Sequence, residues 1–247
     1  MLARLGEART DGADRHLAWS LAGIPGALNA AGFNAVGVFS SNMTGNVAAL
    51  ADHLALADIA VAATYLALVA IFISGAAVST LLINAGRRRR ISGIYAFSIL
   101  TEAVLLTGLA CADLWLTGAG RGPLLAYGLS FLMGLQNAVV TRISNARVRT
   151  THVTGMVTDI GIELGNLVDL GWHRGWRREA NGEADYDADK LRLHGFTVLS
   201  FLGGGVSGVL AYRRLGPYFL FAAALLLLLL ALPGVITRNT TLEADTR

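Results

Sequence analysis

The chain has 247 residues, of which 54% are hydrophobic and only 15% charged, with 29 glycines and a mean hydropathy of +0.54. A soluble domain carries about a quarter charged residues, so this composition excludes an ordinary soluble globule and points to the membrane class. The formal charge of +3 lies largely in arginine clusters flanking apolar segments, which argues against a nucleic-acid partner, and the single Cys111 excludes a disulfide framework or a cysteine metal site within one chain.

Met1 to Arg15 carries both signs of charge without the apolar core and cleavage site of a secretory signal, so residues 1–16 read as a retained cytoplasmic tail. Leu17 to Phe39 is apolar but interrupted by Gly23, Pro25, Gly26, Gly32 and Gly37, with Asn29 and Asn34 inside it. The expectation is a helix that runs from Trp19 and breaks near Gly32. A polar core follows, Ser41-Asn42-Met43-Thr44-Gly45-Asn46. Val47 to Ala57 then gives about 11 residues, ~17 Å of helix against a ~30 Å hydrocarbon core, too short to cross.

Ile59 to Ala85 is long enough to span, presents small residues from Ser74 to Ser79 for close helix packing, and ends in Arg87-Arg88-Arg89-Arg90. Ile94 to Leu116, carrying Glu102, is the next span, and Pro123 to Val140 the one after it. Arg142, Arg147 and Arg149 lead into a second polar core, Thr151-His152-Val153-Thr154-Gly155-Met156, which repeats the first. Val157 to Leu170 reads as a second short helical piece, with Asp159, Glu163 and Asn166 on one face. Residues 172–193 form a polar cytoplasmic loop, Gly195 to Tyr212 and Tyr218 to Pro233 are the last two spans, and 237–247 is a polar tail.

The positive-inside rule selects among topologies. With both short pieces re-entrant and six spans, 17 of the 20 Lys and Arg residues lie inside, leaving Arg121, Arg213 and Arg214 outside; with eight spans the split is 11 to 9. Six spans with both termini cytoplasmic follow, in a multi-pass protein of the cell (inner or plasma) membrane. Three spans then separate equivalent points of residues 17–116 and 117–236. The two repeats insert in opposite senses, and both polar cores fall near the bilayer midplane. The expected fold is therefore all-α, six transmembrane helices plus two re-entrant half-helices in an inverted repeat, a plan common among secondary transporters.

Gly26-Ala27-Leu28-Asn29-Ala30, Val38-Phe39, Asn42-Met43-Thr44-Gly45-Asn46, Met133-Gly134-Leu135-Gln136-Asn137-Ala138 and Val148-Arg149-Thr150-Thr151-His152-Val153-Thr154-Gly155 together resemble the YoaK/DUF1275 family of six-span bacterial membrane proteins. The resemblance covers roughly Leu17 to Tyr212 and implies a cell-membrane permease. It also implies that relatives commonly carry Asp at the position of Asn29; if that Asp carries protons in them, the role is missing here and lies elsewhere or is absent.

At each polar core a helix begins inside the membrane, pointing backbone N–H groups and the positive dipole end inward. Asn42 or Thr44, and Thr151 or Thr154, are the expected caps, and Gly45 and Gly155 would let the backbone approach a ligand. Two facing helix starts suit a carboxylate or other small anion. The candidate binding set is Asn29, Asn42, Thr44, Gly45, Asn46, Gln136, Asn137, Thr151, His152, Thr154 and Gly155; the bland alternative is that these residues only cap and pack broken helices. Asp159, Glu163 and Glu102 are candidates for ion coupling, because ionisable side chains in apolar segments usually line a polar path. Against that stand pairing of Asp159 or Glu163 with Arg147, Arg149 or a loop arginine, and pairing of Glu102 with Gln136, Asn137 or an arginine. Asp52 and His53 fit an outer-interface position.

The scattered histidines and the lack of any zincin, nucleophile-elbow or phosphate-loop pattern argue against an enzyme, a metal site or a cofactor. The expected function is secondary transport of a small, anionic solute, with a passive channel, a non-transporting scaffold and an intramembrane enzyme, which would need an acid, base or nucleophile set converging on a cavity, as rivals. Bilayer lipid and a small-molecule or ion substrate are the expected partners, and homo-oligomerisation is left open.

Overall fold

The computed structural model describes residues 11–89, 94–144, 150–173 and 186–244, with side chains described over 21–89, 94–144, 150–171 and 186–232. Among them are helices α1 (Asp11–Val36), α2 (Met43–Ala55), α3 (Ile59–Arg88), α4 (Ile94–Trp115), α5 (Arg121–Ile143), α6 (Val153–His173), α7 (Ala188–Leu215) and α8 (Tyr218–Ala244), and no strand. Four of these, α3, α4, α5 and α7, are long and apolar enough to cross a membrane, and Tyr218–Leu232 of α8 is a shorter apolar helix. Large aliphatic side chains such as Leu66, Ile73 and Leu81 on α3 and Leu199, Leu202 and Leu210 on α7 are exposed. That is the surface of a chain embedded in lipid, not in water.

The helices pack in matched pairs. α1 lies along α7, α3 along α5 and α4 along α8, while α2 folds onto α3 and α6 onto α7. Exchanging the first four helices for the last four maps this set of contacts onto itself. Close approach at the crossings depends on missing side chains: a Cβ on Gly26 would strike the carbonyl of Phe201, and one on Gly134 would strike the carbonyl of Phe72. Gly75 meets the carbonyl of Phe131 in the same way, and Gly204 that of Gly23. Backbones this close gain dispersion contacts that lipid cannot supply. The buried core is drawn mainly from α4, α5 and α8, with Tyr95, Leu106, Met133, Leu135 and Leu227 among its members.

Several boundaries depart from the sequence reading. α1 does not break near Gly32; it continues to Val36 and ends at Gly37, whose φ of +76° stops the helix. Gly32 instead makes room for the Leu129 side chain of α5. Pro25 sits inside α1 without ending it. α2 and α6 begin at the polar cores themselves, so Thr44 and Thr154 are helical residues, not residues of a preceding loop. α6 has 21 residues, ~32 Å at 1.5 Å per residue, so it is not the short piece expected. α7 starts within the expected polar loop because Asp187 caps it, accepting from the N–H groups of Asp189 and Lys190. α8 runs through Pro233 to Ala244, into the expected polar tail. Residues 1–10, 90–93, 145–149, 174–185 and 245–247, including Arg90, Arg147 and Arg149, lie outside the described residues.

Candidate functional site

The two polar cores meet at one cavity of about 540 Å3. Asn29 of α1, Ser41 to Thr44 at the start of α2, Asn137 and Thr141 of α5, and Thr151 to Thr154 at the start of α6 line it, with Phe39, Phe72 and Phe201 completing the wall. Phe72 and Phe201 lie near the middle of α3 and α7, so the cavity sits at mid-depth of the two longest apolar helices.

Each half supplies an asparagine that ties its first helix to the loop before the next. The Asn29 Oδ1 accepts from the backbone N–H of Ser41 at 3.0 Å and from the Ser40 hydroxyl at 3.3 Å. The Asn137 Oδ1 accepts from the Thr151 hydroxyl at 2.7 Å, while its Nδ2 donates to the Met133 carbonyl at 2.9 Å. Asn29 is buried, and with its oxygen engaged its amide N–H groups remain for the cavity. The cap of α2 is Asn42, whose Oδ1 accepts from Gly45 N at 3.1 Å. Ser41 of one half, through its backbone N–H, and Thr151 of the other, through its hydroxyl, thus each donate to an asparagine oxygen.

From the sequence, Gly45 and Gly155 are expected to let the backbone approach a ligand. Neither lines the cavity; the Asn42 side chain occupies the space a Gly45 Cβ would take, and the His152 imidazole does the same at Gly155. Gly45 thus admits the capping Asn42 side chain, and Gly155 admits the His152 imidazole. Asn46 is also off the cavity, buried with its Nδ2 donating to the Phe39 carbonyl at 3.2 Å, which holds the loop that carries Phe39 stacked on Phe33 at 4.1 Å. Gln136 is buried and not among the residues lining the cavity, and neither of its polar atoms has a hydrogen-bond partner among the described residues. Of the candidate binding residues, the structure brings together Asn29, Asn42, Thr44, Asn137, Thr151, His152 and Thr154.

The three coupling candidates are all outside this cavity. Asp159 and Glu163 on α6 face the first turns of α7. Lys190 Nζ lies 3.3 Å from Asp159 Oδ1 and 3.3 Å from Glu163 Oε1, and Glu163 Oε2 accepts from the Asp187 N–H at 3.0 Å. His194 Nδ1 stands 3.6 Å from Asp159 Oδ2. Sequence reading missed Lys190 and His194, although their i, i+4 spacing matches that of Asp159 and Glu163 and marks two complementary helical stripes. Glu102 is fully buried on α4, and among the described residues neither carboxylate oxygen has a hydrogen-bond partner, so the alternative pairing with Gln136 or Asn137 is not made. Among the described residues no group of three or more His, Cys, Asp or Glu side chains is placed to hold a metal ion.

Phe72, Phe201 and Thr141 are cavity residues that no motif pointed to. The available signal was positional: each Phe precedes a glycine three residues on, Gly75 and Gly204, at which α3 and α7 cross their partners. Comparison with curated proteins and with solved structures returns no match. Residues 17–232 match the family model described as Protein of unknown function (DUF1275), and the chain, with its apolar helices and paired polar cores, belongs to that family.

Proposed function

We propose that the protein is a secondary transporter, a permease rather than an enzyme, for a small anionic solute held where α2 and α6 begin. The observation that carries this reading is that two helix starts from opposite halves of the chain line one cavity at mid-depth of α3 and α7. Backbone N–H groups of two first turns, the Asn29 amide, the second N–H of the Asn137 amide and the hydroxyls of Thr44 and Thr154 make a donor-rich surface in apolar surroundings, with Thr151 orienting Asn137 through its own hydroxyl. There an anion gains more from each donor than it does in water. An open volume of about 540 Å3 argues against a scaffold whose centre is plugged by apolar side chains.

In this reading the two halves form an inverted repeat with α2 and α6 entering from opposite sides, and both termini are cytoplasmic in the cell membrane. The exchange of packing partners between halves supports it, as does the arginine asymmetry of the loops. Asp159 and Glu163, with Lys190 and His194, supply a titratable cluster between α6 and α7, and Glu102 is a second candidate for proton or cation coupling.

The test is a thermal-stability screen of purified protein against small carboxylates and other anions at several pH values, since binding to the folded state alone raises its melting temperature. Stabilising compounds are then taken to uptake in proteoliposomes. Stabilisation that Asn137→Leu abolishes, with uptake driven by an ion gradient, is the expected result. Stabilisation indifferent to Asn137→Leu and to Asn29→Leu removes the site, and flux independent of every gradient makes the protein a passive channel.

A further inference from the structure

Beside the polar cavity lies a second one of about 580 Å3, running along α7 from Val198 to Leu210 against Asn29 and Ala30 of α1. The two share Asn29, Phe39, Val153 and Phe201 as lining residues, so they adjoin at the side chains that frame the polar centre. Their chemistry is opposite. Apart from Asn29, every residue lining the second cavity is apolar or glycine. Leu202, Val206 and Leu210 on its rim are 59%, 55% and 55% exposed, so this side opens on the surface that meets acyl chains.

We propose that the substrate is an amphipathic carboxylate, its head held at the polar centre and its apolar tail lying in the α1–α7 cleft, which is reached laterally from the lipid. The proposal rests on the transport site described above and narrows its substrate class. Three observations converge on it. A small inorganic anion would leave most of a 540 Å3 cavity unfilled. The phenyl rings of Phe39, Phe72 and Phe201 line that cavity and offer a fully hydrophilic solute nothing to bond. And the cleft continues from Asn29 and Phe201, the residues at which a tail leaving the polar head would emerge. A tail in this position stays in apolar surroundings throughout, so the head alone has to be desolvated, and the Asn and Thr donors compensate that loss.

The experiment measures equilibrium binding of radiolabelled propionate and decanoate to the full-length protein in phosphatidylcholine nanodiscs, with empty nanodiscs subtracted. The variants are Leu202→Trp and Val206→Trp, two lipid-exposed positions where a larger ring fills the cleft without entering the core. Decanoate is expected to bind the unmodified protein at least tenfold more tightly than propionate. Each Trp variant is expected to weaken decanoate at least tenfold while changing propionate less than twofold, which also shows that the variant is folded. Asn137→Leu, outside the cleft, is expected to weaken both acids. If decanoate binding is unaffected by both Trp variants, its tail lies in bulk lipid and the proposal is wrong, as it is if propionate binds equally well. Those outcomes leave the polar site standing, whereas failure of both acids to bind the unmodified protein overturns the carboxylate reading and the proposal with it.

Discussion

The halves α1–α4 and α5–α8 share their packing but not their charges. In both, a glycine one turn before an asparagine, Gly26 before Asn29 and Gly134 before Asn137, lets a long helix cross at a phenylalanine carbonyl. In both, that asparagine oxygen accepts from a residue of the polar core, from the Ser41 N–H in one half and the Thr151 hydroxyl in the other. The hairpins that follow differ. α6 meets α7 through the buried Glu163, Asp159, Lys190 and His194, whereas α2 meets α3 through His53, 3.4 Å from Asp58 and stacked on Tyr65. Backbone proximity at the crossings tolerates no side chain, so both halves keep glycine there. Hairpin contacts lie nearer the helix ends, where different residues can close the same gap, and there the halves have different chemistry.

The largest expected effect tests the shared part. Gly134→Val and Gly26→Val each place atoms on a backbone carbonyl, and overpacking of this kind costs ~3 kcal/mol or more when backbone has to move. Both variants are expected to lose monodisperse, folded protein in size-exclusion chromatography, while Gly108→Val, which meets nothing within 4 Å, behaves as the unmodified chain. Collapse of only one crossing variant would show that the halves are not packed alike.

The next effect tests the unshared part. Lys190→Met leaves the nearly buried Glu163 with its hydrogen bond from Asp187 but no cation. Because Lys190 is itself partly exposed, the expected loss is reduced to ~1–2 kcal/mol from the larger value of a fully buried pair. His53→Ala, removing a partly exposed pair, is expected to cost ~0.5 kcal/mol. Thermal unfolding of the two variants side by side reads the difference, and equal losses would mean that the α6–α7 charges add nothing to stability.

A finer comparison concerns the two asparagines. Asn29→Leu strands a backbone N–H and a hydroxyl, whereas Asn137→Leu strands the Thr151 hydroxyl, which can rotate to another acceptor. Each stranded donor costs ~1–3 kcal/mol when buried, so Asn29→Leu is expected to lower the melting temperature more, with ligand binding lost in both. The smallest change is electrostatic: Asp159→Asn is expected to flatten the pH dependence of uptake with little loss of stability, and an unchanged pH profile removes Asp159 from coupling.

Topology can be read independently of ligand. In a Cys111→Ser background, cysteines placed at Arg89 and Asp189 are expected to react only from the cytoplasmic side, and one at Leu56 only from the other. Labelling of Asp189 and Leu56 positions from the same side would break the opposed insertion of the two halves.

Much of this architecture is written in local pattern. Apolar runs of span length, arginines at their ends and a Thr-Gly motif occurring twice are properties of neighbouring residues, and so the membrane class, the order of helices and seven of the cavity residues were legible from the chain itself. Helix continuity at Gly32 was not, because a glycine that breaks an isolated helix is tolerated where a Leu129 side chain fills its space. Nor were Phe72 and Phe201, which resemble any other apolar residue until their helices cross. Pairing of Asp159 and Glu163 with Lys190 depended on the angle at which α6 returns onto α7. Periodicity along one helix reports which face is polar; which partner that face meets is set by the packing of helices distant in sequence, and only the assembled fold decides it.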